Sequence, residues 1–327
     1  MYAPVSTYFT ILSAALPVFL VLGTGYFART RGWLTPAADA SVMKLVINAL
    51  YPFLILTFIL GNPALKNPAN IGYGIGVGAF LAVMSISIGY LVGPLGGMHV
   101  GTGRRTFAFT TGLNNYGYIA IPVAAAVFGV DNPMMGVLLV CNVGIEAMLW
   151  TYGILMLTGK IDKNVWKQLL NPPLIAMLVG LLLNFSGLPE MGGAAGSAYG
   201  IFLAALKMMG ACAVPLGLFI SGATMCDLVR SGEWLGRWQV PVWGLAVRNC
   251  LLPLIYLSLA LCVPFSLELK QVLAVQAAMP AAMFPIVLAR FYGGSPAVAV
   301  QVVLASTAAG LLTIPFWLAT GLRLLGN

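Results

Sequence analysis

Charged residues are scarce in this sequence, and their scarcity excludes a soluble protein. They make up 7% of the 327 residues, whereas soluble domains carry about 25%. Hydrophobic residues make up 60% of the chain. Apolar runs of about 20 residues, the length that spans a bilayer, recur from end to end. The composition therefore predicts an integral membrane protein whose constant partner is the lipid bilayer.

Histidine is nearly absent, and cysteine follows no functional spacing. His99 is the one histidine, and the five cysteines are scattered, mostly within apolar runs. Because no Cys-x-x-Cys or Cys/His pattern occurs, neither a zinc site nor a disulfide framework is predicted. One histidine and one acidic residue at mid-membrane depth also offer no catalytic constellation. We therefore predict no metal site and no enzyme activity.

Hydropathy and turn residues divide the chain into ten predicted spans. Their approximate limits are 9–28, 40–60, 71–95, 107–128, 134–158, 172–187, 199–223, 239–264, 267–290 and 296–322. Residues 226–238 are predicted as a charged loop. The first apolar run lacks a preceding basic segment and a cleavage site, so it is predicted as the first span, not as a removed signal.

The net charge of +8 comes from basic residues in short loops. No basic stripe occurs, which argues against a nucleic-acid partner. Loops after odd-numbered spans hold ten Lys and Arg residues, and the opposite side holds three. Because basic residues mark the cytoplasmic side, both termini are predicted to lie outside the cell (inner) membrane.

Spans 4 and 9 are interrupted. Residues 110–122 contain two glycines, two adjacent asparagines (Asn114 and Asn115) and Pro122. Residues 276–285 contain Pro280 and Pro285. Proline removes a helical N–H group and clashes with the preceding turn. A broken helix at membrane depth is tolerated only where protein buries it or where it lines a wet cavity.

Several positions recur at one constant shift of 163 residues. Pro122, Phe128 and Pro133 recur as Pro285, Phe291 and Pro296, and Lys44 and Pro52 recur as Lys207 and Pro215. Because each repeat has five spans, the second enters the membrane upside down. The predicted fold is all-α: two inverted five-helix repeats (1–158 and 171–327) with broken, crossing helices 4 and 9, joined by a cytoplasmic interfacial connector (159–170). Paired interrupted helices point to the substrate site of a transporter.

Four ionisable residues lie within the spans, where each costs about 2.5–3.5 kcal/mol and needs a reason. Glu146 is interpreted as a proton carrier or cation ligand, or as one half of a buried ion pair. Arg248 either binds a substrate carboxylate or pairs with Glu146 or a helix C-terminus, and we favour pairing. Lys44 and Lys207 lie near span ends, and we favour the interpretation that they extend to the interface.

Neutral polar residues surround the two breaks. Asn114 and Asn115 are predicted to hydrogen-bond a substrate beside freed backbone, where half-helix N-termini favour an anion. The alternative is that they satisfy the broken backbone only. Oxygens nearby offer a cage for sodium, although most membrane Ser and Thr bond their own helix. The candidates for coupling to Na+ or H+ are Glu146, Thr111, Gln276 and Ser306.

Four motifs together resemble the auxin efflux carrier family over essentially the whole chain. They are Leu22-Gly23-Thr24-Gly25-Tyr26, Arg31-Gly32-Trp33-Leu34, Lys44-x7-Pro52, and Asn115-Tyr116-Gly117-Tyr118-Ile119-Ala120-Ile121-Pro122 with Phe128-Gly129. That family shares its ten-helix inverted-repeat plan with bile acid/sodium symporters. The chain lacks the long loop of many plant members and is similar to compact prokaryotic ones.

The resemblance implies a scaffold of spans 1, 2, 6 and 7 that forms a homodimer. It also implies an elevator-like transport domain of spans 3–5 and 8–10. The implied substrate is a small organic anion, such as an auxin-like, malonate-like or malate-like carboxylate, contacted by Asn114 or Asn115 and by Asn142. Predicted substrate-site residues are Asn114, Asn115, Tyr116, Pro122, Asn142, Gln276, Pro280 and Pro285.

Two rival functions stay open at this point. The first is a sodium-coupled symporter of bile-acid type with a larger amphipathic substrate. In those symporters acidic residues of the second crossover help to bind sodium, and here that stretch offers Gln276 and no carboxylate. The second rival is a receptor or channel-like facilitator that binds ligand without coupled transport.

Overall fold

The computed structural model describes residues 4–160, 170–187 and 197–326, and helices joined by short non-helical segments make up these ranges. In chain order the helices are α1 (Pro4–Thr30), α2 (Pro36–Ile59), α3 (Pro68–Gly96), α4 (Arg104–Gly112), α5 (Ala120–Phe128), α6 (Met134–Thr158), α7 (Pro172–Phe185), α8 (Ala198–Arg230), α9 (Gln239–Cys262), α10 (Leu267–Ala278), α11 (Phe284–Phe291) and α12 (Pro296–Leu324). Most of the predicted connector, residues 161–169, lies outside the described residues.

Seven helices in the described part of the chain are long and apolar enough to cross a membrane: α1, α2, α3, α6, α8, α9 and α12. Helix α7 is apolar but has 14 residues. The prediction of an all-α, multi-pass membrane protein is confirmed at this level. Predicted spans 4 and 9 correspond to the short pairs α4–α5 and α10–α11.

The predicted end of span 7 at residue 223 is wrong, because α8 continues to Arg230. The first part of the predicted charged loop 226–238 is therefore helical. Arg29, at the end of α1, pairs with the charged residue Asp227 in this part of α8. It is 4% exposed and its Nε lies 3.2 Å from the carboxylate of Asp227 on α8, and it also pairs with Asp39 on α2.

Glycines allow two pairs of helices to approach at backbone distance. A Cβ atom at Gly78 of α3 would lie 2.0 Å from the Cys141 carbonyl oxygen of α6, and one at Gly144 would lie 2.0 Å from the Ile75 carbonyl oxygen. In α1 and α8 a Cβ at Gly222 would lie 1.9 Å from the Leu22 carbonyl oxygen. The hydrophobic effect does not drive helices together in lipid, so close van der Waals contact at small residues stabilises their packing.

Three long helices contain a π-helical turn in their middle. The turns span Val46–Leu50 in α2, Leu149–Gly153 in α6 and Ala246–Leu251 in α9. A π turn inserts one extra residue and changes the direction of the side chains that follow, and such turns are frequent at functional sites. Two of these turns border the cavity described below, and the third carries Arg248.

The helices pack in two groups. Helix α2 packs against α7 and α8, and α1 packs against α8. Helix α3 packs against α4 and α6, while α10 packs against α9 and α12. Helices α1 and α12 connect the two groups. The breaks between α4 and α5 and between α10 and α11 lie in the second group.

Candidate functional site

Two unwound segments, residues 113–119 and 279–283, cross each other and pair as an antiparallel bridge. The backbone N–H of Asn115 donates to the Pro280 carbonyl oxygen at 2.7 Å. The backbone N–H of Ala282 donates to the Leu113 carbonyl oxygen at 2.9 Å. Backbone groups that a helix break leaves free must find partners at membrane depth. Here each break supplies partners for the other.

Three buried amide side chains form a hydrogen-bonded chain behind the crossing. Asn114 Nδ2 donates to Gln276 Oε1. Gln276 Nε2 donates to Asn142 Oδ1 at 2.8 Å, and Asn142 Nδ2 donates to the Tyr116 carbonyl oxygen at 2.9 Å. The structure thus brings together four predicted substrate-site residues. The amides join the first unwound segment to α6 and α10 and largely satisfy one another.

Asn115 differs from its neighbour Asn114. Its Oδ1 accepts from the Ile119 backbone N–H at 3.1 Å, just before α5 begins. Its Nδ2 makes no hydrogen bond within the described residues, and it lines the cavity at the crossing. Asn115 therefore satisfies the broken backbone, and substrate binding by its Nδ2 stays a prediction.

Two adjoining cavities, of about 400 Å³ and 290 Å³, lie against the crossing. The larger is lined by Asn114, Asn115 and Tyr116, and the smaller by Tyr116 and Asn142. Residues of α2 and of the start of α7 form the facing wall of both. The volumes and the mostly apolar lining are typical of a small-molecule site.

Glu146 lines both cavities. Its Oε1 accepts a hydrogen bond of 2.7 Å from Asn171 Nδ2, and Trp150 lies beside it in the wall of the larger cavity. Asn171 in turn begins α7, because its Oδ1 accepts from the Leu174 backbone N–H at 2.9 Å. Glu146 forms no ion pair in the described part of the structure.

None of the three predicted in-membrane basic residues lines the crossing cavities. Arg248 is fully buried, and its three guanidinium nitrogens have no hydrogen-bond partner among the described residues. The favoured pairing, with Glu146 or with a helix C-terminus, is therefore not formed among the described residues. The guanidinium lies 5.4 Å from the centre of the Tyr256 ring. Lys44 and Lys207 are exposed, and Lys207 lines a separate cavity of about 500 Å³.

The remaining predicted residues shape the backbone without lining the crossing cavities. Pro122 and Pro285 lie in the first turns of α5 and α11, where the missing N–H has no helical partner to lose. Thr111 Oγ1 donates to the Phe107 carbonyl oxygen of its own helix at 2.7 Å. Ser306 Oγ accepts from the Ala281 backbone N–H at 3.1 Å.

No cluster of three His, Cys, Asp or Glu side chains occurs in the residues that the structure describes.

The aromatic wall of the site was not predicted. Tyr51 and Tyr118 lie with ring centres 6.5 Å apart, and Trp150 and Phe284 lie 5.6 Å apart, both edge to face. All four line the larger cavity. The sequence indicates one member of this wall: Trp150 follows Glu146 by four residues, and this spacing places both on one face of a helix.

Discontinuous helices that cross beside a cavity are a feature of many membrane transporters. The chain belongs to the auxin efflux carrier-like family of membrane transport proteins, whose sequence pattern, described as "membrane transport protein", matches residues 10–165 and 160–318. The chain is also 26% identical to an uncharacterized transporter of Methanothermobacter thermautotrophicus, over 94% of this chain and 96% of the relative. The predicted family resemblance is thereby confirmed.

Proposed function

We propose that the protein is a secondary transporter that carries a small organic carboxylate by alternating access, with the substrate bound at the crossing. The free Nδ2 of Asn115 in the larger cavity carries this proposal. The N-termini of α5 and α11 begin beside the same cavity, and the positive end of a helix dipole favours an anion.

The proposed architecture is the ten-helix inverted repeat. The seven long helices, the short helix α7 and the two broken pairs supply ten membrane-crossing units. Helices α1, α2, α7 and α8 form the scaffold, which also provides the homodimer surface. Helices α3 to α6 and α9 to α12 form the transport domain. The packing in two groups supports this division.

The position of the cavity supports an elevator-like movement. Ile47 and Tyr51 of α2 and Pro173 of α7 form one wall of the cavity, and the crossing forms the other. Sliding of the transport domain along the scaffold would therefore change which side of the membrane the cavity meets. We place both termini outside the inner membrane, from the basic loops.

Coupling to H+ or Na+ at Glu146 is part of the proposal. The hydroxyls of Thr111 and Ser306 already hydrogen-bond backbone groups, and Gln276 bonds two amides. Sodium needs several oxygen ligands, as other hard cations do. The sodium-coupled symporter of bile-acid type is consequently the weaker alternative.

Counterflow in proteoliposomes tests the function. The probes are labelled malonate, malate, indole-3-acetate and leucine, each exchanged against the same unlabelled compound. We expect exchange without electrical conductance for at least one probe, and at least tenfold slower exchange in Asn115→Ala. Asn70→Ala is the matched control, because Asn70 bonds a carbonyl oxygen outside the crossing cavities. Conductance without counterflow would indicate a channel, and unchanged exchange in Asn114→Ala, Asn115→Ala and the double variant would disprove the site.

A further inference from the structure

The charge of the crossing cavities is unusual for a site that takes a simple anion. Glu146 is the one acidic or basic residue that lines these cavities in the described part of the chain. The other titratable groups that face it are the tyrosines Tyr51, Tyr116 and Tyr118. A bare carboxylate entering this space would meet a like charge, and like charges repel strongly where water is sparse.

Glu146 is hydrogen-bonded, but no basic side chain pairs with it among the residues that the structure describes. Asn171 Nδ2 donates to the carboxylate at 2.7 Å. Donated hydrogen bonds stabilise a carboxylate group without cancelling its charge. An acidic residue inside a membrane protein normally has a cationic partner or a functional one. The cationic partner is therefore expected from the occupant of the cavity.

The aromatic rings around Glu146 identify the kind of cation. Tyr51, Tyr118, Trp150 and Phe284 line the same cavity as the carboxylate. The negative face of an aromatic ring attracts an organic ammonium group, and aromatic cages are the usual site for such groups. A metal cation prefers carbonyl, carboxylate and water oxygens, whereas the hydrogen-bond partner of Glu146 is the N–H donor of Asn171.

We propose that the substrate is a zwitterion, a small amino acid-like molecule whose ammonium group binds Glu146 and whose carboxylate binds Asn115. This inference rests on the proposed function. Both residues line one cavity of about 400 Å³. The ammonium neutralises Glu146, and the free Nδ2 of Asn115 receives the carboxylate near the positive end of the α5 dipole. The largely apolar remainder of the lining suits a hydrophobic side chain.

The test compares matched probes that differ in one charged group. Thermal unfolding and titration calorimetry use the purified full chain with alanine, leucine and phenylalanine. Each amino acid is paired with its deaminated acid (propionate, 4-methylpentanoate, 3-phenylpropionate) and its decarboxylated amine (ethylamine, 3-methylbutylamine, 2-phenylethylamine). We expect at least one amino acid to bind ten times more tightly than either of its partners.

Variants assign the two ends of the probe. Glu146→Gln keeps the size of the side chain and an oxygen for Asn171, and it should bring the preference for the amino acid over the deaminated acid close to one. Asn115→Ala should weaken amino acid and deaminated acid by a similar factor. The preference measured in the unmodified protein tests the proposal even if Glu146→Gln does not fold.

Each contrary result is distinguishable. Equal or tighter binding of the deaminated acid would overturn the zwitterion and leave the carboxylate transporter standing. Stabilisation by sodium chloride over potassium chloride that is lost in Glu146→Gln would replace the ammonium by a metal cation and also overturn it. Absence of binding by every acid and amino acid probe, together with absence of counterflow, would overturn the proposed function as well.

Discussion

Asn171 donates a hydrogen bond of 2.7 Å to Glu146 and thereby joins the first turn of α7 to the middle of α6 across the cavity. In the proposed division of the helices this bond links scaffold to transport domain. Any sliding of one against the other must break it. The same asparagine also caps α7, so its two roles need variants that separate them.

The first prediction concerns this link. Asn171→Ser retains a good helix cap but is too short to reach Glu146. Asn171→Ala removes both the cap and the link, and losing a cap costs about 1 kcal/mol. We expect Asn171→Ser to lose about 1–3 kcal/mol in the free energy of unfolding, because Glu146 loses a hydrogen-bond donor, and Asn171→Ala to lose about 1 kcal/mol more with the cap. The counterflow rate of both variants should change. Identical counterflow rates in both variants and the unmodified protein would show that the link does not control the movement.

The second prediction concerns the amide chain. Gln276→Leu leaves Asn114 Nδ2 and Asn142 Oδ1 without their side-chain partners. A buried polar group that loses its partner costs about 1–3 kcal/mol, so we expect a loss of about 2 kcal/mol or more in the free energy of unfolding. Gln239→Leu, at the start of α9, is the control and should change little. Chemical unfolding in detergent measures the free energy of unfolding of both variants. An equal loss in Gln276→Leu and Gln239→Leu would show that the amide chain does not stabilise the fold.

The third prediction uses two glycines of the same helix. An added Cβ at Gly78 would lie 2.0 Å from the Cys141 carbonyl oxygen, whereas nothing lies within 4 Å of one at Gly72. Gly78→Ala must separate α3 from α6, and we expect a loss of about 1–3 kcal/mol or more. Gly72→Ala should be neutral or stabilising, by up to about 1 kcal/mol, because alanine favours a helix. Thermal unfolding of the two variants in parallel decides the comparison.

The fourth prediction concerns Arg248. A buried guanidinium without hydrogen bonds is costly, and replacing a buried charge by an apolar side chain of similar size is often neutral or stabilising by about 1–4 kcal/mol. We expect Arg248→Met to raise the unfolding temperature. Counterflow measured on the same Arg248→Met sample shows whether transport needs the Arg248 charge. A clear fall in unfolding temperature would mean that Arg248 has a stabilising partner.

Much of the helical plan follows from the sequence, because membrane helices are marked by the residues that end them. The predicted limits of the span at 134–158 equal those of α6, and both interruptions fall where proline, glycine and paired asparagines indicate them. The end of α8 was missed because charged residues normally mark a loop. There Asp227 is accommodated by Arg29, a partner that lies far away in the chain.

The site was predicted only in part, for a geometric reason. Asn114 and Asn115 are adjacent in an unwound segment, where helical periodicity does not assign a direction, and the structure gives them different partners. The aromatic wall was not predicted because Tyr51 and Trp150 lie in apolar runs. There the sequence does not distinguish a ring that faces a cavity from a ring that faces lipid. The π turns beside them leave no mark in composition either.

The antiparallel bridge also ties the order of synthesis to assembly. Leu113 and Asn115 emerge from the ribosome long before Pro280 and Ala282, which supply their backbone partners. Until those residues arrive, the first half holds unpaired peptide groups that lipid cannot satisfy. Neither half is then a finished membrane protein alone. The first break therefore gains its backbone partners only after the second half of the chain has been made.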